Sequence, residues 1–471
     1  MRRLRTTTED GPVVRVEPAS FRDPSGRVFY RDGQVFRGLS PVAAQDWRAL
    51  AATKFFANAV KAGKITATEE AEKTDEWDVV LRHERIPFVS YPFEWSFAML
   101  RDAALLHLDL LQAALAEGLT SKDGSAYNLQ WRGASPVFID VGSFEPARPG
   151  EPWAGYRQFC QTMLYPLMLQ AHLGLDFQPW LRASVDGVEP ARMRKLFGGA
   201  RRFKAGVLKH VHLHDAVQSR NARSSTGEVR AELRDAGFSA ELVKATVRAI
   251  DKLVRGLDWQ PPASHWTAYQ QTCTYSDADR AAKVEFVEAV LSKKSSLTLD
   301  LGANDGTYSR LAAKHSDYVV AVESDAAVVD KLYRDLHNEG ERRVLPIVMD
   351  LADPSPGIGW RGRERASFEQ RADADTVLAL AVIHHLAIGR NVPLPEIVDW
   401  LAALGRRVVV EFVEPADPMA QRLLANKPEG LFPDYRRDVF EKLLGERFTV
   451  EHRAELPSGT RTLYCGVRRA G

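Results

Sequence analysis

Asp300, Glu323 and Asp350 each close a short apolar run, in "LTLDLGANDG", "VVAVESD" and "VLPIVMD". A carboxylate at a strand end can accept hydrogen bonds from ribose hydroxyls or from an adenine amino group. After the first acid, Gly302 and Gly306 bracket Ala303, Asn304 and Asp305. Glycine there lets a ligand approach the backbone and lets the next helix start close to the strand. That helix start, at Thr307, presents free N–H groups suited to a carboxylate or a phosphate. The stretch has neither the G-x-G-x-x-G of dinucleotide enzymes nor a phosphate-binding Lys-Ser/Thr pair. A pyrophosphate would gain from the glycine-rich form, whereas a nucleoside with an amino-acid tail has no need of it. Generic nucleotide binding is the blander alternative.

The elements that must position these acids follow from periodicity. After "RGLDWQPPASHW", residues 255–266, strand and helix patterns alternate strictly. Strands are expected at 297–301, 318–322, 343–349, 376–382 and 407–412. Helices are expected at 281–291, 307–315, 326–338 and 394–404. Repeated βα units imply a doubly wound, mainly parallel sheet, whose ligands sit at the carboxyl ends of the strands. The close, a helix at 437–444 and then "RFTVEHRAELPSGTRTLYCGVRR", predicts a terminal antiparallel hairpin. Before the boundary the pattern is α+β and mostly helical. "GRVFYRDGQVFRGL" reads as a hairpin, residues 41–75 as helical and "WDVVLRHERIPFVSYPFEW" as strand and extended crossing. A long helix follows, then a helical region at 156–256 with a polar stretch, "SRNARSSTGE". The expected division is a front domain at 1–258, with a small lobe at 1–92 and a helical lobe at 93–258, and a second domain at 265–471.

The totals narrow the function classes. A chain of 471 residues is too long for one ordinary core. A net charge of +1 gives no global field toward nucleic acid or an anionic membrane. No apolar run is long enough to span a bilayer, and the basic start lacks the apolar core of a signal peptide. Cys160, Cys273 and Cys465 are odd in number and far apart, which argues against disulfides or zinc and for a reducing cytoplasm. Oligomeric state is not legible.

Residues 297–382 resemble a class I S-adenosylmethionine-dependent methyltransferase, with "LDLGANDG" as its first motif. The resemblance implies that Asp300, Gly302 and the turn through Ala303, Asn304 and Asp305 to Gly306 cradle the methionine end of the cofactor. Glu323, with Ser324 beside it, would hold the ribose, Asp350 and Leu351 the adenine, and Ala379 and Leu380 would line the pocket. The whole chain is similar to a bacterial, nodulation-protein-like family of two-part methyltransferases, through "ERIPFVSYPFEWSFAMLRDAALLHLDLL", "YRQFCQTMLYPLMLQ" and "DLADPSPGIGW". The expected reaction is methyl transfer to an unidentified small-molecule or carrier-linked acceptor, at oxygen or nitrogen, and the charge balance and apolar runs point to no clear nucleic acid and no membrane partner. An acceptor often needs a base. His384 and His385, after the fourth strand, are candidates because imidazole titrates in the useful range, and Glu411 and Glu414 are alternatives.

"SKDGSAYNLQWRGASPVFIDVGSFE" raises a second possibility. Asp123 and Asn128 stand in Asp-x-x-x-x-Asn order, and Asp140-Val141-Gly142 follows an apolar strand, an order that resembles kinases. By that resemblance Asp123 would orient an acceptor hydroxyl, while Asn128 and Asp140 would hold the magnesium of Mg-ATP. Ser121-Lys122 stand where His-Arg is usual, and no glycine-rich strand pair is evident. Lys54 and Lys61 are the candidate phosphate lysines. His210, His212 and His214 alternate in "LKHVHLHDAV" and would share one face of a strand, although their neighbours suit a helix as well. The basic run around Arg192–Arg202 reads as a solvated face.

Overall fold

The computed structural model describes residues 14–72, 74–148, 150–214, 239–261, 276–291 and 293–469. The polar stretch at 219–228, Cys273 and much of the boundary segment at 255–266 lie outside them. Among the described residues no helix is long and apolar enough to cross a membrane.

The C-terminal half is built on a seven-stranded sheet. Its strands are β10 (Ser295–Leu301), β11 (Ser316–Glu323), β12 (Val344–Val348), β13 (Ala374–Ala379), β14 (Gly405–Val413), β15 (Phe448–Glu455) and β16 (Arg461–Arg468). Their order across the sheet is β12-β11-β10-β13-β14-β16-β15. The first five are parallel, and β16 inserts antiparallel between β14 and β15. Strands covered on both faces must be apolar almost throughout, and Val319–Val322 and Val408–Val410 are all buried. The order reverses beside β10, so the crevice at its carboxyl end is the natural ligand position.

The front half opens with five antiparallel strands, β1 (Val14–Val16), β2 (Gly26–Arg31), β3 (Gln34–Leu39), β4 (Thr68–Ala71) and β5 (Val79–His83), ordered β1-β2-β3-β5-β4. The helices Pro41–Ala51 and Lys54–Lys61 lie between β3 and β4. The helical pattern expected to run to residue 75 therefore stops early: Gly63 takes a positive φ, and the Thr-Glu-Glu-Ala run after it pairs with β5 at the sheet edge. The helix Phe97–Ala116 follows. Four short strands then form two antiparallel pairs, β6 (Leu119–Ser121) with β9 (Phe144–Pro146) and β7 (Leu129–Arg132) with β8 (Ser135–Phe138).

The two halves share one continuous apolar core. Polar groups tie the seam at several points. Asp330 accepts from the N–H of Ala98 (2.6 Å) at the start of the long helix, Tyr333 donates to Asp102 (2.7 Å), and the Gly133 N–H donates to the Tyr318 hydroxyl (3.0 Å). Arg371 pairs with Glu94 where both are buried, and its guanidinium also lies over the ring of Tyr91 at 4.4 Å.

Candidate active site

A cavity of about 750 Å³ opens at the carboxyl ends of β10, β11, β12 and β13. Asp300, Glu323 and Asp350 all line it. Parallel register explains this convergence: Asp300 sits beside Ala321 on β11, and Glu323 beside Val348 on β12. Neighbouring strands thus end within one layer.

The glycine turn is held from both sides. The N–H groups of Gly302 and Ala303 both donate to the Val322 carbonyl, at 2.8 and 2.9 Å. Gly302 and Gly306 have φ near +76° and +79°, and a Cβ on either would lie within 2.7 Å of a side chain, Val382 or Leu332. Asn304 also takes a positive φ, and its N–H donates to Glu323 Oε2 at 3.2 Å. Glu323 Oε1 accepts from the N–H groups of Ser324 (2.6 Å) and Asp325 (3.1 Å). These donors hold the carboxylate in one orientation and leave Oε2 able to accept from a ligand.

Asp300 is wholly buried, and its carboxylate accepts from Ser309 Oγ at 2.6 Å. Burial pushes it up to about 6, against the opposing pull of Ser309 and Lys283. Asp350 accepts from the N–H of Ala352 (2.9 Å) and pairs with Arg390 across the rim.

The cavity also takes in Ala303, Asn304, Asp305, Ser324, Leu351, Leu380 and His385. Gly306, Ala379, His384 and Glu411 are not among its lining residues. Gly306 lies close against Leu332, and Ala379 is enclosed within β13. Glu411 is no cavity-facing base. It is fully buried and pairs with Lys283 (2.6 Å) and Arg461 (3.4 Å), and Arg461 in turn pairs with Asp417 (2.8 Å). Glu414 is likewise engaged, by Arg437.

The two histidines stack on each other with centroids 4.2 Å apart. Neither titrates in the useful range expected of it. Burial pushes His385 down to about 4 and His384 well below the usual value, with Arg461 adding to both. His384 is fully buried, and its ring nitrogens have no hydrogen-bond partner among the described residues. His385, on the π-helical turn His385–Gly389, is the one that reaches the cavity.

Sequence reasoning missed the opposite wall. Arg280 and Lys283 enter from the helix Asp277–Leu291, and Tyr308 from the helix after the glycine turn. Two cations three residues apart on a helix share a face, a signal readable in "DRAAK". Lys283 is buried and lies 4.9 Å from the Tyr308 ring, while Arg280 is exposed at the rim and joins no ion pair among the described residues. Ala381 was missed as well. It takes φ +57°, a conformation costly for alanine that persists only where its surroundings enforce it.

In the front half, β6, β7, β8 and β9 frame Asp123, Asn128 and Asp140. Burial and the charge of Asp140 push Asp123 up to about 6. Asp140, however, is already paired with Arg37, and Lys122 with Asp46. A carboxylate occupied by the protein's own guanidinium does not fit a magnesium-nucleotide site. Among the described residues no group of three or more His, Cys, Asp or Glu side chains is placed to hold a metal. Lys54 opens the helix Lys54–Lys61 and Lys61 closes it. His210, His212 and His214 fall on a helical turn, and each bonds a different partner: Tyr156, the Phe197 carbonyl and Tyr165.

The sheet order, the antiparallel insertion of β16 and the glycine turn define the C-terminal half as a Rossmann-like domain with the topology expected of class I methyltransferases. The chain is 33% identical over 457 residues to nodulation protein NoeA of Rhizobium meliloti strain 1021, covering 94% of both chains. The chain therefore belongs to the NoeA family. No family model matches it. Among solved structures it is similar to N-methyltransferase NodS of Bradyrhizobium japonicum WM9 in complex with S-adenosyl-L-homocysteine. That likeness has 10% identity and a TM-score of 0.32, and covers 44% of this chain and 98% of that one. Magnesium protoporphyrin IX methyltransferase of Synechocystis PCC 6803 with bound S-adenosylhomocysteine is similar at 17% identity and a TM-score of 0.31, covering 43% of this chain and 94% of that one.

Proposed function

We propose that the C-terminal half transfers a methyl group from S-adenosylmethionine to a small-molecule or carrier-linked acceptor, at oxygen or nitrogen. The observation that carries this reading is the convergence of Asp300, Glu323 and Asp350 on one cavity around a turn open to a ligand. The charges favour this donor over a pyrophosphate. Four acids line the cavity, and of its three cations Lys283 is paired with Glu411 and Arg390 with Asp350. A cationic sulfonium and ammonium gain from that field, and a phosphate loses.

Glu323 Oε2 would accept from the ribose, and Asp350 and Leu351 would meet the adenine. Asp300 would hold the ammonium of the methionine arm, and Arg280 its carboxylate. When bound, the donor supplies a methyl carbon attached to positively charged sulfur. The acceptor's lone pair would form the new bond to that carbon as the carbon–sulfur electron pair returns to sulfur, and the proton of a hydroxyl or amine acceptor would leave to solvent. His385, pushed down to about 4 by burial, would be unprotonated at neutral pH but a weak base, so its role would be to orient the acceptor by hydrogen bonding more than to hold its proton. Alignment of this kind supplies much of the acceleration in displacement reactions.

S-adenosylhomocysteine should raise the melting temperature of the full chain, and Asp300→Ala should abolish the shift. Labelled methyl from S-adenosylmethionine should appear on a component of a cell extract. Absence of any shift at saturating ligand would refute donor binding. A shift without labelled product would leave a cofactor-sensing module as the reading.

A further inference from the structure

From Pro190 to His214 the chain carries seven Lys and Arg residues and not one Asp or Glu, in a protein whose net charge is only +1. The segment folds as the helix Pro190–Leu196, the short turn Gly199–Phe203 and the π-helical turn Leu208–Leu213. The two turns pack against each other, and the helix packs against the last turn.

One side of this segment faces the core. Met193, Phe197, Val207 and Val211 are buried, and the rings of His210 and His214 bond Tyr156 and Tyr165, each at 2.8 Å. His212 Nε2 donates to the Phe197 carbonyl at 3.0 Å, which ties the last turn to the end of the first helix. The other side faces solvent, and all seven cations are exposed there. Arg192 pairs with Glu189 at 3.3 Å. Lys195, Arg201, Arg202, Lys204 and Lys209 join no ion pair among the described residues.

Apolar side chains stand between these cations. Phe203 is 72% exposed, more than any other large apolar residue among those described, and Leu208 and Leu213 are 58% and 59% exposed. The Arg202 guanidinium lies over the Phe203 ring at 4.8 Å. Singly exposed apolar residues are ordinary. Three of them among unpaired cations, on a segment whose opposite side is anchored in the core, make a patch with two chemistries. Nucleic acid or a free small anion would use the cations and leave Phe203 and the leucines in water. An anionic bilayer uses both: its headgroup phosphates meet Lys and Arg, while Phe and Leu sink toward the acyl boundary.

We infer that this face docks on the surface of an anionic lipid bilayer. Docking of this kind needs no spanning helix. The solvated face expected from the sequence is correct for the cations and leaves the protruding apolar residues unexplained. Whole-chain charge hides the patch because acids elsewhere cancel it, yet screening over about 8 Å at physiological salt keeps each patch local. The inference stands apart from methyl transfer.

Co-sedimentation of the full chain with vesicles, at about 150 mM salt, tests it. The chain should sediment with vesicles of equal parts phosphatidylglycerol and phosphatidylcholine, and stay in solution with phosphatidylcholine alone. Each cation removed from such a surface costs about fivefold in affinity, so combining Arg201→Gln, Arg202→Gln and Lys204→Gln should weaken binding roughly twentyfold or more. Combining Phe203→Ser with Leu208→Ser should weaken it about tenfold by withdrawing the inserted side chains. Every substituted residue is exposed, so the melting temperature should hold in both variants. No binding to anionic vesicles would overturn the proposal, as would equal binding to neutral ones. Binding lost with the cations but indifferent to Phe203 and Leu208 would also overturn it, and would assign the face to an acidic protein or a nucleic acid.

Discussion

Asp300 is raised to about 6 by burial, so in the free protein its proton leaves just below neutral pH. The ammonium of a methionine arm requires the ionised form. Above pH 6 that form is already present and binding carries no proton cost. Below it, a proton must be displaced, and affinity should fall roughly tenfold per pH unit. S-adenosylhomocysteine affinity measured from pH 5 to 8 should therefore bend near 6, and Asp300→Asn should weaken binding and flatten the profile. A bend that survives in Asp300→Asn would assign the titration elsewhere. Arg280 is separable from Asp300 because it faces only the amino-acid arm in this reading. Arg280→Ala should weaken S-adenosylhomocysteine about tenfold or more and leave 5′-methylthioadenosine, which lacks that arm, unaffected. Equal losses for both ligands would rule out the carboxylate role.

Among the elements, the turn between β10 and the helix Thr307–Ala312 carries the most constraint. Gly302 takes a positive φ, and a Cβ there would sit 2.7 Å from Val382, itself a lining residue. Gly302→Ala should cost about 1–3 kcal/mol and displace either the turn or Val382. Denaturant unfolding should show the loss, and donor affinity should fall with it. Unchanged stability would mean that the turn yields easily and does not shape the pocket. The helix Asp277–Leu291 is pinned in a different way. Asp279 accepts from the Ser458 N–H at 2.9 Å, and Lys283 reaches the buried Glu411. That anchoring fixes the rotation of the helix, and with it the placement of Arg280 at the rim.

At the scale of the whole molecule, the halves are joined by shared core and by the buried pair of Arg371 and Glu94. Removing one member of such a pair leaves the other charged and unpartnered inside the protein, typically at a cost of 3–5 kcal/mol. Arg371→Met should therefore destabilise the chain by about that much, and calorimetry should resolve the single transition into two as the seam weakens. A single, barely shifted transition would show that the apolar core alone couples the halves.

Alternation of apolar runs with amphipathic stretches was enough to determine the parallel sheet, the terminal hairpin and the acids at the strand ends, because burial on both faces leaves strands few alternatives. Glycines at 302 and 306 marked the turn for a similar local reason: backbone with a positive φ excludes most other residues. What faced the cavity from across the crevice was not local. Arg280 and Lys283 arrive from a helix outside the βα repeat, and Glu411, so plausible a base by position, is consumed by that same Lys283. His384 and His385 are adjacent in the chain, yet packing sends one inward and the other to the cavity wall, and burial moves both out of the physiological range. That Asp176 and Asp325, from opposite halves, line one cavity at the seam was likewise decided only when the halves packed, since sequence separation says nothing about which distant charges share a space.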